Sequence, residues 1–201
     1  MQDEKLRSLD RFLDVVFALV FFRIVEFLPS FQDGHWLQLP HGILSLLASQ
    51  PANLTRVVFG LVIVAYYWNR KNAFASMMAK SNGVLAALSI TTLCFFCLFM
   101  YALIADPTYV GGAPTLLLQS ASLLIASLLG LLAFRYAMHA NLIRPELKES
   151  AGQFARIDLS NPLTALVATC LSWSGLTIWT LSWFVLMPLF GWLLAMRKRE
   201  A

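Results

Sequence analysis

The chain has 201 residues, of which 59% are hydrophobic and only 13% are charged, and its formal net charge is +4. A soluble domain carries roughly 25% charged residues, so this composition excludes an ordinary soluble protein and indicates a membrane protein. Membrane topology accounts for the positions of Lys and Arg, and the basic net charge therefore does not indicate nucleic-acid binding. The longest polar stretch, about residues 140–161, is predicted to be a loop, so residues 1–201 are expected to form one membrane domain.

Four apolar segments in the first part of the chain predict spanning helices, because a bilayer crossing needs about 20 apolar residues. They cover about residues 11–28, 54–68, 82–105 and 114–138. In the second segment, Asn53 or Thr55 is suited to cap the start of the helix. The end of this segment predicts an aromatic belt at the membrane interface, formed by Tyr66, Tyr67 and Trp68.

The last apolar block is too long for one crossing and slightly short for two. Basic residues flank it on both sides, which requires an even number of crossings, so we predict a hairpin of two spans. The spans cover about residues 160–173 and 176–196. Ser160 or Asn161 is the candidate cap of the fifth helix, with Pro162 in its first turn. Pro188 is predicted to kink the sixth helix.

The distribution of positive charge predicts the orientation of the six spans. Lys and Arg resist translocation and accumulate in cytoplasmic loops. Thirteen of the 15 basic residues lie in four clusters, separated by connections without Lys or Arg. This pattern predicts an all-α, six-span protein of a prokaryotic inner or plasma membrane with both termini in the cytoplasm. The clusters are Lys5/Arg7/Arg11, Arg70/Lys71/Lys80, Arg135/Arg144/Lys148/Arg156 and Arg197/Lys198/Arg199.

The sequence contains no pattern typical of an enzyme or a metalloprotein. Cys94 and Cys97 form a C-x-x-C pair, but they lie in the middle of a predicted span, where a thiolate is poorly solvated and unreactive. The three histidines are scattered, and no nucleophile and base occur at a catalytic spacing. We therefore expect no enzymatic activity, no cofactor and no metal site.

The first span carries two charges, which usually mark function inside a membrane. Arg23 and Glu26 follow Phe12, Val15 and Leu19 at a 3-4-4-3 spacing that places all five residues on one helical stripe. One interpretation is that this stripe lines a polar path on the axis of an oligomer. The other is that Arg23 and Glu26 neutralise each other against another helix or extend to the outer interface.

Asp14 lies near the cytoplasmic end of the same span, and two interpretations remain open. It is either a helix-terminal carboxylate near the positive end of the macrodipole or a buried anchor that binds donors on other helices. The topology places three candidate donors at the same cytoplasmic level: Trp68, Asn72 and Asn82.

The same residues resemble the bacterial relatives of transmembrane protein 175, the endolysosomal potassium channel. That family carries an R-x-x-x-F-S-D motif at the start of its first helix, followed by an apolar pore-lining run. Residues 12–19 (FLDVVFAL) resemble its F-S-D-G-V-F-A-I segment. The second helix of the family ends in an aromatic-Trp stretch, which residues 67–74 (YWNRKNAF) resemble, and Asn82 matches an Asn that opens the third helix. The chain departs from the motif in having Ser8 in place of its Arg and Leu13 in place of its Ser.

The resemblance implies a homotetramer in which the first helix surrounds the axis and Leu19 forms an apolar constriction. Phe22, Arg23 and Glu26 would also line the pore, although the family usually has apolar residues where Arg23 and Glu26 stand. The resemblance further implies a structural network at the cytoplasmic end of the first helix, formed by Arg11, Phe12, Asp14, Trp68, Asn72 and Asn82.

The leading functional hypothesis is therefore an ion channel in the lipid bilayer that conducts potassium or other monovalent ions. An unpaired Arg23 would instead favour anions. The second hypothesis is a non-conducting membrane scaffold or accessory subunit, because the stripe around Leu19 has no Ser or Thr and Phe22 is bulky. Neither hypothesis involves nucleic acid.

Overall fold

The structure is a computed structural model that describes residues 4–26, 51–105 and 113–196. These ranges are helical and contain no β-strand. In these ranges, two short 3-10 helices, Pro145–Leu147 and Leu171–Trp173, accompany seven α-helices. The α-helices are α1 Glu4–Val25, α2 Pro51–Met77, α3 Gly83–Ala105, α4 Ala113–His139, α5 Lys148–Asp158, α6 Ser160–Cys170 and α7 Leu176–Met196.

Among the described residues, three helices have the length and composition of a membrane span by themselves: α4, α7 and residues 83–104 of α3. The expected all-α class is thus confirmed for this part of the chain, and three of the six expected spans have the length and apolar composition of a crossing. The α1 helix is long enough, but it carries Asp10, Arg11 and Asp14 in addition to Arg23. The α6 helix has only 11 residues, about half the length that a straight crossing requires.

The polar stretch of residues 140–161 is not the predicted loop, since it contains the amphipathic helix α5. Most of the exposed surface of α5 is polar, while Ala151 and Asp158 are buried. The low overall hydropathy of the stretch concealed this helical periodicity. A helix with one polar face does not need an apolar composition, because only its inner face is buried.

The predicted helix caps are wrong at two places. Asn53 and Thr55 lie inside α2, which begins at Pro51, a residue whose fixed φ suits the first helical position. Ser160 and Asn161 lie inside α6, whose N-cap is Leu159. Leu159 itself has helical backbone angles, so α5 runs almost directly into α6 and leaves no conventional capping position.

The predicted hairpin break is present between α6 and α7. The chain leaves α6 through the 3-10 helix and turns at Gly175, whose φ of +91° is a conformation that a side chain disfavours. The α7 helix then begins at Leu176 and continues through Pro188.

Aromatic side chains form much of the core where the helices meet. The α3 and α4 helices make the most extensive contact, and α4 also packs on α6. Phe59 of α2 contacts the rings of Phe99, Trp179 and Trp183 edge to face. Aromatic pairs in this geometry contribute about 0.5–1.5 kcal/mol beyond the area that they bury. The core therefore ties α2 to both α3 and α7.

The predicted aromatic belt is wrong for two of its three residues. Tyr67 is buried and shares a hydrogen bond of 2.6 Å with Ser127 of α4. The Tyr66 hydroxyl donates to Asn161 Oδ1 at 2.6 Å. Only Trp68 is well exposed. A tyrosine can serve in a belt or in a core because it has both an apolar ring and a polar tip, and here the neighbouring helices supply partners for that tip.

Candidate pore-lining face and the charged anchors of the first helix

The α1 helix has two apolar faces with different environments. One face is buried against α2 and α3 through Leu6, Leu13, Phe17 and Ile24. The opposite face is exposed, with 50–63% of the side-chain surface accessible. Its apolar members are Phe12, Val15, Leu19 and Phe22, and we call them the α1 outer stripe. A helix that is apolar all round is normally covered on all sides.

The outer stripe has the spacing of a helix–helix seam. Its members follow a 3-4-3 pattern that Glu26 extends by a further four residues, which is the heptad repeat of coiled coils. Arg23 lies beside this seam, one residue after Phe22. The predicted pore-lining residues Leu19, Phe22, Arg23 and Glu26 are therefore all exposed and lie along one side of α1.

Arg23 and Glu26 form an ion pair within the same helix. Arg23 Nη1 donates to Glu26 Oε2 at 2.7 Å, and the two side chains are 70% and 43% exposed. In water, such an i,i+3 pair stabilises a helix by only about 0.2–0.5 kcal/mol. The pair brings the net charge of this part of the stripe to zero.

The exposure of this pair restricts what can cover the outer end of α1. Placing an arginine at the centre of a bilayer costs at least about 2.5–3.5 kcal/mol. This cost is several times the stabilisation that an exposed ion pair contributes. Lipid tails alone are therefore an unfavourable environment for Arg23. Water, the headgroup region or another protein surface satisfies its guanidinium better.

Near the middle of α1, Asp14 is held by two residues of α2. Lys71 Nζ lies 2.6 Å from Asp14 Oδ1 and 2.7 Å from Asp10 Oδ1, and the Lys71 side chain is only 11% exposed. The Trp68 indole N–H donates to the same Asp14 oxygen at 3.0 Å. Asp14 thus contacts donors on another helix, as the anchor interpretation expects, but its side chain is 46% exposed and not buried. The alternative of a helix-terminal carboxylate is wrong, because α1 begins ten residues earlier, at Glu4.

The other two candidate donors do not bind Asp14. Asn82 Nδ2 donates to the Tyr136 hydroxyl at 2.8 Å, while its Oδ1 accepts the Leu85 N–H at 2.9 Å. Asn82 therefore caps the start of α3. Asn72 is half-buried and makes no hydrogen bond to Asp14 within the described residues. Arg11 and Phe12 are exposed on α1.

A second anchor lies one residue before Lys71. Arg70 Nη2 forms a short ion pair with Asp158 Oδ2 of α5, and both side chains are buried. Asn161 Nδ2 donates to Asp158 Oδ1 at 2.9 Å. The Arg70 guanidinium also lies 5.7 Å above the ring of Tyr67, within cation–π range. The adjacent residues Arg70 and Lys71 therefore tie α2 to α5 and to α1, respectively.

The Asp158 carboxyl is in an environment that disfavours its charge. Burial raises the pKa of Asp158 above its usual value, and the Arg70 guanidinium and the Asn161 amide oppose that rise. A buried carboxylate depends on its partners, and losing one of them leaves an uncompensated group in a poorly solvated site. Arg70 is consequently an essential structural partner of Asp158.

Sequence reasoning assigned Arg70 and Lys71 only to a cytoplasmic cluster and missed their acidic partners Asp10 and Asp158. Asp10 precedes Asp14 by one turn of α1, so the two carboxylates lie on one face of that helix. Asp158 precedes Asn161 by three residues, across the junction of α5 and α6. Both spacings can be read from the sequence alone. The ion pairs themselves join residues 57 and 88 positions apart, which no local pattern reveals.

No group of three or more potential metal ligands occurs in the part of the chain that the structure describes. Cys94, Cys97 and Cys170 are free. His35 and His41 lie outside the described residues. In comparisons with known proteins, the chain matches no family model, no curated protein and no solved structure. The resemblance to the potassium-channel family therefore rests on residues of the first three helices alone.

Proposed function

We propose that the protein is an ion channel in which the α1 helices of several subunits, four by the family resemblance, surround a pore. The α1 outer stripe would face the axis, Leu19 would form an apolar constriction, and Arg23 and Glu26 would line the outer side of that constriction. The permeant ions would be monovalent cations, with potassium as the ion that the resemblance implies.

The observation that carries this proposal is an ion pair on the exposed apolar face of α1. The stripe has the heptad spacing that helices use to associate, which favours a second copy of α1 as its cover. The Arg23–Glu26 pair at its outer end favours water over lipid tails. A water-filled axis lined by identical helices meets both requirements.

The pairing within one helix favours cations over anions. Four unpaired arginines on one axis would repel potassium, but each Arg23 has a carboxylate of its own subunit 2.7 Å away. The charged layer would then be neutral overall, and its Glu26 oxygens would be available to a passing cation. This arrangement does not favour an anion-selective pore.

The proposed topology has six crossings and cytoplasmic termini in a prokaryotic inner or plasma membrane. The α3, α4 and α7 helices would supply three crossings, and α1, α2 and the short α6 would supply the others. The anchors at Asp14, Lys71 and Arg70 would lie at the cytoplasmic end of the bundle, where the basic clusters place it.

The test is ion flux from liposomes that contain the purified protein, with potassium, sodium and chloride gradients compared in turn. We expect potassium flux to exceed the other two and to increase in Leu19→Ala, because a smaller side chain lets water into the constriction. Leu181→Ala is the matched control, since Leu181 is 55% exposed on α7 and Leu19 is 61% exposed.

Two outcomes would contradict the proposed cation channel. Absence of flux in both the wild type and Leu19→Ala, with an intact oligomer by cross-linking, would favour the scaffold. The bulk of Leu19 and Phe22 on the stripe is the feature that favours this second candidate. Chloride flux above potassium flux would instead mean that Arg23 dominates the pore.

A further inference from the structure

We propose that a cavity enclosed by α1–α5 binds one acyl chain of a membrane phospholipid. This proposal does not depend on ion conduction. The cavity has a volume of about 110 Å³ and is partly open to the surface. It is distinct from the α1 outer stripe, because it lies on the opposite, inward-facing side of α1, against Leu13 and Phe17.

The walls of the cavity are almost entirely apolar. Every helix from α1 to α5 contributes to them, and five phenylalanine rings are the main feature of the lining: Phe17, Phe74, Phe96, Phe134 and Phe154. Cavities with such walls stay dry and take up apolar ligands, as a cavity of roughly 150 Å³ does with benzene. A volume of this order accommodates a run of methylene groups. The rest of a lipid would lie outside, at the opening.

The charged side chains on the lining are already paired within the protein. Arg70 contacts Asp158, and Lys71 lies between Asp10 and Asp14. A carboxylate on the ligand would therefore find neither lining cation unpaired. The lining therefore offers no unpaired cation to select the carboxylate of a free fatty acid, and its apolar walls fit the uncharged tail of a phospholipid.

The position of the cavity explains how a lipid tail could reach it. Arg70 and Lys71 line one part of it, and in the topology proposed above the basic cluster to which they belong marks the cytoplasmic membrane interface. The apolar part extends from there toward Leu93 and Phe96 in α3. An acyl chain that enters from the inner leaflet would run in the same direction as the acyl chains of neighbouring lipids in the bilayer.

Two adjacent threonines of α3 provide a matched test. Thr92 lines the cavity, whereas Thr91 is exposed and does not line it. Each hydroxyl donates to the carbonyl four residues earlier, at 2.8 Å for Thr92 and 2.9 Å for Thr91. Thr92→Phe and Thr91→Phe therefore make the same chemical change and lose the same kind of hydrogen bond, but only the first fills the cavity.

The experiment uses phosphatidylcholine vesicles containing the full chain and a small fraction of phosphatidylcholine with a diazirine on one acyl chain. After irradiation, adducts are mapped by mass spectrometry of peptides. We expect labelling at the lining residues Phe74, Leu85 and Phe134, a decrease of about tenfold there in Thr92→Phe, and wild-type labelling in Thr91→Phe.

Two further experiments are needed. One distinguishes loss of binding from loss of folding, and the other distinguishes a phospholipid from a free fatty acid as the ligand. Ser89→Leu narrows the same cavity by a smaller change and should also reduce labelling, which keeps the test valid if Thr92→Phe does not fold. Equal labelling of the lining in all variants, or labelling only at outward-facing residues such as Leu132, would overturn the proposal. Labelling of the lining by a diazirine fatty acid but not by the phospholipid would overturn it as well.

Discussion

Two ion pairs in this protein are built from the same kinds of group but lie in opposite environments. Arg70 and Asp158 are buried, come from different helices and share Asn161 as a further partner. Arg23 and Glu26 are exposed and stand one turn apart on a single helix. The first pair has everything it needs within one chain. The second pair has charge neutrality, but both of its side chains are exposed among the residues that the structure describes.

This comparison distinguishes residues that stabilise the fold from residues whose contribution is expected in function. A buried pair becomes strongly destabilising when one member is removed, because the other charge remains in a poorly solvated site. An exposed pair contributes little to stability, since water replaces the lost partner. Stability measurements should therefore respond to Arg70, and functional measurements to Arg23 and Glu26.

The largest effect is expected at the buried pair. Arg70→Ala should lower the free energy of unfolding by about 3–5 kcal/mol, because Asp158 loses its countercharge. Denaturant unfolding in mixed micelles measures this change. Arg23→Ala is the matched control and should cost less than about 0.5 kcal/mol. Equal losses in the two variants would contradict the distinction between the pairs.

A double replacement tests whether the buried pair stabilises the protein through charge compensation. Arg70→Met combined with Asp158→Leu removes both charges and keeps apolar volume, so it should recover most of the stability that Arg70→Ala loses. If the double variant is as unstable as the single one, the pair contributes through specific hydrogen bonding and not through charge compensation.

A smaller loss is expected at the anchor of α1. Lys71→Ala leaves Asp10 and Asp14 without their shared ammonium group and should cost about 1.5–3 kcal/mol, the usual range for hydrogen bonds to charged groups. Lys71→Arg keeps the charge and is the control. Unfolding in the same micelles measures the cost, and identical values for both variants would mean that charge at this position is unimportant.

A single hydrogen bond in the same anchor should have a still smaller effect. Trp68→Phe removes the indole N–H that donates to Asp14 at 3.0 Å, on a residue that is 47% exposed. We expect a loss of about 0.5–1.5 kcal/mol. Trp192→Phe on α7, at a site that is 58% exposed, serves as the reference and should leave stability unchanged.

The exposed pair should respond in the opposite way, with little change in stability and a clear change in function. Glu26→Gln leaves Arg23 uncompensated, so potassium flux should fall relative to chloride flux. Arg23→Gln leaves Glu26 uncompensated, so potassium flux should rise relative to chloride flux. The liposome assay measures both. Unchanged ratios in the two variants would place neither residue on the ion path.

The helical class and the break between α6 and α7 were predictable because their signals are local. Apolar length predicted helices, and Gly175 with its small neighbours predicted the turn. The contact of Asp14 with Trp68 was also among the expected possibilities, since topology placed both at one level. The cap positions failed because Asn and Ser are good caps only where a helix actually begins, and here the starts lie elsewhere.

The sequence by itself determined that this chain is helical and apolar and that its basic residues are clustered. These properties depend on composition and on the spacing of residues that are close together in the sequence. Only the tertiary structure decided which charges are paired and which remain exposed. Lys71 and Asp14 are 57 positions apart, and Arg70 and Asp158 are 88 apart. Such pairs depend on how whole helices pack, which is a property of the assembled bundle and not of any segment. Within the described ranges, the same packing leaves the side chains of Arg23 and Glu26 exposed.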